Sequence, residues 1–135
     1  MAESTDPLFT ADFSRGDLAQ LRQAVTAHAG RAGLTGQRLD DFVLAVNEVV
    51  TNAVRHAGGR GRLRMWANDE AVCCEIADAG GGIPAERLFP QRPPAASTAG
   101  GRGIWMARQL CDELAVETGP SGTTVCVQAR LAHAP

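Results

Sequence analysis

The sequence feature that most constrains the fold is a long helical periodicity from about Gln37 to Ala57. Apolar residues recur there every three or four positions and form one stripe, which a helix has to bury against other elements. The stripe consists of Leu39, Phe42, Val43, Val46, Val50, Ala53 and Ala57. Gly58 and Gly59 follow and are predicted to end the helix. Because 135 residues provide for one core and not two, we expect a single domain over residues 1–135.

Weaker signals precede the long helix. They predict a short strand at residues 8–13 and a helix from Asp17 to about Ala32, capped by Ser14 or Asp17. The segment 33–36 has a glycine at each end and is predicted to separate the two helices.

A strand hairpin is predicted after the long helix. Apolar and polar residues alternate in RLRMWA (62–67), one face of AVCCEIAD (71–78) is apolar, and Asn68 and Asp69 between them favour a turn. The remaining predicted elements are a helix from Arg102 to about Leu114 and strands near 115–118 and 122–131. This order predicts an α+β fold, a two-layer sandwich in which helices cover one face of a mostly antiparallel, mixed sheet.

Composition narrows the function classes. Apolar residues make up 44% of the chain, which favours a folded domain, and a net charge of -2 gives no reason to expect a nucleic-acid or membrane partner. We find neither a secretion signal nor an apolar run of membrane-spanning length, so a cytoplasmic location is expected. The four cysteines form no CxxC pair, which favours buried free thiols over a zinc site.

Three polar residues line one flank of the long helix. Glu48, Asn52 and His56 are spaced four apart, which places them roughly 90–170° from the middle of the apolar stripe. A carboxylate can accept a proton from a hydroxyl or water, and an asparagine oxygen is a hard ligand suited to magnesium. A histidine one turn further on can contact a phosphate. The same spacing also fits a solvated polar face, and the residues alone leave both interpretations open.

A second group of candidate residues follows the hairpin. Asp78 continues the alternation of the apolar residues before it, so it is predicted to point towards the helices, where a carboxylate needs a donor such as the amine of adenine. Gly80 and Gly82, followed by Ile83, allow a ligand to approach the backbone. The alternative is a strand end followed by a flexible turn.

Two further segments have residue types suited to nucleotide binding. A glycine-rich stretch opens the third helix, where free amides and the positive end of the helix dipole attract phosphates; it consists of Gly100, Gly101, Arg102, Gly103 and Ile104. The chain has no lysine, which excludes a P-loop. Thr123 is predicted on the face of the last strand that points towards the helices, where its hydroxyl can support Asp78 or a bound base, or be satisfied by the backbone.

Together, and in this order, these segments resemble the motifs of the GHKL ATPase superfamily over about residues 38–128. Glu48-Val-Val-Thr-Asn52 with His56 resembles its N box, Asp78-x-Gly80-x-Gly82 its first glycine box, Gly101-x-Gly103 its second glycine box, and Thr123 its late threonine. The resemblance implies the Bergerat ATP-binding fold. DDFVLAVNEVVTNAVRHAGG further resembles the anti-sigma factor serine/threonine kinases, and GGRGIWMARQLCDEL resembles their actinobacterial branch.

The resemblance implies ATP and Mg²⁺ as cofactors. It implies that Asp78 binds the adenine amine, that Asn52 ligates magnesium and that the glycine loops surround the phosphates. Glu48 would be the base that activates a serine hydroxyl on an anti-sigma antagonist, and residues 85–101 would form the ATP lid. A sigma factor and a second copy of the chain are the other implied partners. One alternative is a non-catalytic, ATP-binding regulator that acts by sequestering its partner, and another is an unrelated small α+β binding module.

Overall fold

A computed structural model describes residues 7–56, 59–80 and 101–131 of the chain. Within these residues the α-helices are α1 Leu18–Ala32, α2 Gly36–His56 and α3 Gly101–Leu110, and a 3-10 turn at Arg15–Asp17 precedes α1. The strands are β1 Phe9–Ser14, β2 Arg60–Ala67, β3 Ala71–Asp78, β4 Glu113–Gly119 and β5 Gly122–Arg130. The predicted α+β architecture is confirmed.

The strands form one five-stranded sheet in the order β1-β2-β3-β5-β4. Every pair among the described strands is antiparallel, so the expected mixed character of the sheet is not found there. The helices contact one face of the sheet. That face, which we call the inner face, carries a continuous apolar layer. Its fully or nearly fully buried members on the three central strands are Leu63, Met65, Val72, Cys74, Ile76, Val125, Val127 and Ala129.

Helix α2 lies at the centre of the packing because it contacts α1, α3 and the three central strands. Its predicted stripe is buried at Phe42, Val43, Val46, Val50 and Ala53, whereas Leu39 is only half-buried. Three further apolar residues outside that stripe are also buried, because α2 has neighbours on more than one side: Ala45, Val49 and Val54.

The turns follow from local chemistry. Gly33 ends α1 with a φ of 123°, and its amide donates to the carbonyl of Ala29 or Gly30, which satisfies the last turn of the helix. In the β2–β3 turn the Asn68 side chain accepts hydrogen bonds from the amides of Glu70 and Ala71, at 2.8 and 2.9 Å.

The predicted end of α3 at about Leu114 is wrong. The helix ends at Leu110, and Leu114 pairs with Val127 in the sheet. Leu110 and Leu114 are four apart, which imitates a helical stripe, but both also fit a strand that follows a short turn.

Candidate nucleotide site

A polar row crosses one end of the inner face. Asp78 on β3 lies opposite Thr123 on β5, and Thr123 lies opposite Thr118 on β4. Directly paired residues share a face. The pairs Ile76 with Val125 and Cys74 with Val127 continue the same face as apolar rows. The prediction that Asp78 and Thr123 point towards the helices is therefore confirmed by the register.

The members of the polar row have defined hydrogen bonds. One carboxylate oxygen of Asp78 accepts the amide hydrogen of Gly80 at 2.9 Å, which folds the chain back at the end of β3. The hydroxyls of Thr118 and Thr123 are 2.8 Å apart and hydrogen-bonded. Thr123 is 4% exposed and is a buried polar residue of the core, so its hydroxyl needs a partner of this kind.

Asp78 and both threonines line an open cavity of about 340 Å³. The cavity also includes Glu117, Gly119, Ser121, Gly122 and Thr124, and its lining is mostly polar. Such a volume lies within the range of small-ligand pockets. The cavity therefore has the size and the carboxylate acceptor that a nucleotide base with an exocyclic amine requires.

Gly122 fixes the β4–β5 hairpin against the end of β3. A Cβ atom at this position would lie 2.2 Å from the carbonyl oxygen of Asp78 and 3.1 Å from the Cα atom of Ala79, and its φ is +145°. Only glycine fits this contact without displacement. The position and orientation of Asp78 thus depend on the hairpin that presents Thr118 and Thr123.

The flank of α2 with Glu48 and Asn52 packs against the first turn of α3. A Cβ atom on Gly103 would lie 3.2 Å from the backbone oxygen of Glu48, 3.6 Å from its carboxylate and 3.8 Å from the Cβ of Asn52. Glu48 and Asn52 are consequently half-buried, which excludes the fully solvated polar face that the spacing alone allowed. The small residue at position 103 brings the N-terminus of α3, whose first amides have no partner within the helix, next to both side chains.

Chain connectivity brings the α2 flank to the same end of the sheet as the polar row. Helix α2 ends at His56 and β2 begins at Arg60, and four Cα steps span at most about 15 Å. The start of β2 lies beside the end of β3, because Arg62 pairs with Ala77. Asn52 is one turn before the end of α2, so it lies near the level of Asp78.

Several predicted site residues cannot be assigned side-chain geometry. The following lie outside the described residues: Gly82, Ile83, Gly100 and all of the predicted lid at 85–101 except Gly101. The side chains of His56 and Arg102 are not described either. Gly101 and Gly103 belong to the first turn of α3 and not to a preceding loop. The Ile104 side chain is fully buried in the core, which leaves its backbone for any contact with a ligand.

Two features of the site were missed by sequence reasoning. Thr118 carries no motif, and only its pairing with Thr123 identifies it. Gly122 was assigned to the strand but not to the contact with Asp78. The sequence GPSG (119–122) does signal a tight hairpin, and a glycine next to Thr123 is the signal to look for in a similar chain.

The four cysteines are free thiols, of which Cys73 and Cys74 are buried. A hydrogen bond with Cys126 and burial raise the pKa of Cys73. The same hydrogen bond lowers the pKa of Cys126, which accepts it. Burial raises the pKa of Cys111 to about 11. These thiols lie outside the polar row.

The fold and the order of these segments along the chain define a class of protein, and comparison with known proteins agrees. The family model described as the histidine kinase-like ATPase domain matches residues 11–129. The chain belongs to this family, and the resemblance to the GHKL superfamily is confirmed.

The similar curated proteins are bacterial serine kinases. The chain is 29% identical over 119 residues to the serine-protein kinase RsbW of Bacillus subtilis (strain 168), covering 79% of this chain and 74% of the relative. It is 26% identical over 121 residues to RsbW of Bacillus pumilus (strain SAFR-032), with the same coverage.

Solved structures share the fold. The RsbU and RsbW domains of Rv1364c from Mycobacterium tuberculosis superpose with a TM-score of 0.66 at 19% identity, covering 93% of this chain and 33% of that one. The histidine kinase domain of the Erythrobacter litoralis EL346 blue-light activated kinase gives 0.55 at 26% identity, covering 96% and 69%. Among the described residues, no helix is both long and apolar enough to cross a membrane.

Proposed function

We propose that the chain is an ATP-dependent serine/threonine kinase that phosphorylates an anti-sigma antagonist and sequesters a sigma factor. The observation that carries the proposal is that the Asp78–Thr123 pair lies at the end of the sheet where the chain connects α2, with Glu48 and Asn52, to β2. Similarity to the serine-protein kinases RsbW supports the class of reaction.

Adenine binding is assigned to Asp78 and Thr123. One carboxylate oxygen of Asp78 is engaged by the Gly80 amide, and the carboxylate retains acceptor capacity for the exocyclic amine of adenine. Thr123 beside it supplies a hydroxyl for the ring nitrogen next to that amine, directly or through water. The polar cavity of about 340 Å³ accommodates the base.

Magnesium and the phosphates are assigned to the α2 flank and the start of α3. The described residues contain no group of three or more His, Cys, Asp or Glu side chains that could hold a metal ion by themselves. Asn52 would therefore share the ion with phosphate oxygens and water, which suits the preference of Mg²⁺ for few protein ligands. The amides of the first turn of α3, beside Asn52, have no partner within their own helix and would bind phosphate oxygens, and His56 would reach a phosphate from the end of α2.

Glu48 is assigned as the general base. It lies one helical turn before Asn52, so a serine hydroxyl next to the terminal phosphate would be within its reach. The carboxylate takes the hydroxyl proton as the serine oxygen bonds to the γ-phosphorus and ADP leaves. Magnesium, when bound, supplies neutralisation of the charge that develops on the phosphates.

Phosphotransfer tests the proposal directly. The chain, labelled ATP and candidate antagonist proteins should yield phosphoserine, and Glu48→Gln should lower the rate about 100-fold or more while ATP binding is kept. Glu75→Gln is the matched control, since Glu75 lies on β3 with its side chain on the opposite face of the sheet. Equal transfer by wild type and Glu48→Gln would remove Glu48 from this role.

The partner assignments belong to the same proposal. We expect the chain to form a nucleotide-dependent complex with a sigma factor and to sediment as a homodimer. Both assignments go with a cytoplasmic location. A complex that forms with ATP but never transfers phosphate would instead support the alternative of a non-catalytic regulator.

A further inference from the structure

Two cysteines lie side by side on the face of the sheet opposite the helices, which we call the outer face. Cys73 on β3 pairs with Gln128, and Cys126 on β5 pairs with Glu75, so the two cysteines are diagonal neighbours on adjacent strands. We propose that Cys73 and Cys126 form a redox site, in which a peroxide converts the two thiols to a reversible disulfide. This inference goes beyond the proposed function, because the pair lies outside the nucleotide site.

The sheet selects these two of the four cysteines. Successive residues of a strand point to opposite faces, so Cys74 points into the core, where it is fully buried. The thiol of Cys111, just before β4, donates a hydrogen bond to the backbone oxygen of Glu113 at 3.2 Å. A hydrogen bond between thiols joins Cys73 to Cys126, so these two sulfur atoms already point towards each other.

The exposure of the two thiols assigns their order in the reaction. Cys126 is half-buried and reachable from solvent, whereas Cys73 is 9% exposed and lies between Trp66 and Gln128, its direct partners on the neighbouring strands. The hydrogen bond from Cys73 also lowers the pKa of Cys126, and the thiolate is the form that attacks a peroxide. Cys126 is therefore the thiol that reacts first, and Cys73 reacts with the product.

Hydrogen peroxide as the oxidant balances the reaction. The sulfur of Cys126 bonds to one peroxide oxygen as the O–O bond breaks; the departing hydroxide takes up the Cys126 proton, which leaves a sulfenic acid and one water. The sulfur of Cys73 then bonds to the sulfur of Cys126 as the S–OH bond breaks, and the second hydroxide leaves with the Cys73 proton as water. Two thiols thus lose two electrons and two protons, and one peroxide becomes two waters.

The spacing of the pair favours a disulfide that is easily reduced. Diagonal neighbours in a sheet are about 7–8 Å apart at the backbone, whereas most disulfides join Cα atoms about 4.4–6.8 Å apart. Closure therefore requires β3 and β5 to twist slightly against each other, and a disulfide formed under strain is more readily reduced. In a reducing compartment, disulfides of this kind are transient and sense oxidants instead of holding a fold together.

Oxidation of the purified chain tests the inference. Reduced protein, freed of reductant, is treated with hydrogen peroxide and denatured, and its remaining thiols are counted by alkylation and intact-mass spectrometry. Wild type should lose two of its four thiols without cross-linking to a second chain, and should regain both with dithiothreitol. Cys73→Ser should form no such bond and should retain a sulfenic acid at Cys126, which dimedone captures. Cys126→Ser should also form no bond.

Matched controls come from the other two cysteines. Cys111→Ser and Cys74→Ala should each still lose two thiols, because neither removes a member of the pair, and circular dichroism checks that every variant is folded. Four unchanged thiols in oxidised wild type would overturn the inference. Survival of the bond in Cys73→Ser or Cys126→Ser, or its loss in Cys111→Ser, would do the same. None of these measurements involves nucleotide, so the proposed function is tested separately.

Discussion

Replacement of Gly122 by alanine should destabilise the protein severely. Its Cβ atom would lie 2.2 Å from the Asp78 carbonyl oxygen, whereas real Cβ atoms essentially never come within 3.0 Å, so β3 or the hairpin must move by at least 3.0 − 2.2 = 0.8 Å. A side chain at a φ of +145° adds backbone strain of about 1–3 kcal/mol. Forced displacement in a packed region costs about 1–3 kcal/mol more.

The sum, about 2–6 kcal/mol, is a large part of the 5–15 kcal/mol that stabilises a typical domain. Gly119→Ala provides a matched control in the same hairpin, because Gly119 has no positive φ and its Cβ would meet nothing within 4 Å. We expect that variant to remain within about 0.5 kcal/mol of wild type or to be slightly stabilised.

Urea denaturation followed by circular dichroism measures both free energies of unfolding. A Gly122→Ala variant as stable as Gly119→Ala would refute the close contact between the hairpin and the end of β3. It would also remove the reason for treating the orientation of Asp78 as dependent on that hairpin.

Three other substitutions or reagents probe different parts of the structure. Gly103→Ala places a Cβ atom 3.2 Å from the backbone oxygen of Glu48, so α3 has to shift slightly away from α2. We expect the phosphotransfer rate in single-turnover experiments to fall about three- to tenfold with little loss of stability. An unchanged rate would contradict this expectation. Asp112→Ala removes a carboxylate that accepts a hydrogen bond from the amide of Arg130 on β5 at 2.6 Å. Urea denaturation should show a free energy of unfolding about 1–2 kcal/mol lower than that of wild type, and a smaller decrease for Asp112→Asn. At pH 7.5, iodoacetamide should modify Cys126 faster than Cys111. A hydrogen bond from the Cys73 thiol lowers the pKa of Cys126, whereas burial raises the pKa of Cys111 to about 11. Peptide mapping by mass spectrometry measures the order of modification, and the reverse order would contradict this expectation.

Strong local periodicity explains why much of the fold was predictable. The α2 stripe is long enough to identify a helix by itself, and the bounds of β3 at Ala71 and Asp78 match the predicted segment. The alternation of apolar residues along β3 also predicts the face on which Asp78 lies, and the pairing of Asp78 with Thr123 agrees.

Tertiary packing explains what was missed. Val49 and Val54 lie outside the predicted stripe, and they are buried because α2 has other helices beside it as well as the sheet below. Leu114 continues the helical spacing of α3 but satisfies its backbone in the sheet instead. Thr118 has no local signal, because only its pairing with Thr123 on another strand places it in the polar row.

Binding of Mg-ATP to wild type and to Asp78→Asn, measured by calorimetry, tests the central claim most directly. We expect one nucleotide per chain for wild type, and a loss of about ten- to hundredfold in affinity for Asp78→Asn, because the charged acceptor of the adenine amine is replaced. Asp12→Asn, which changes a strongly exposed side chain on β1, should bind as wild type does. Equal affinities for wild type and Asp78→Asn would show that adenine does not bind at the end of β3.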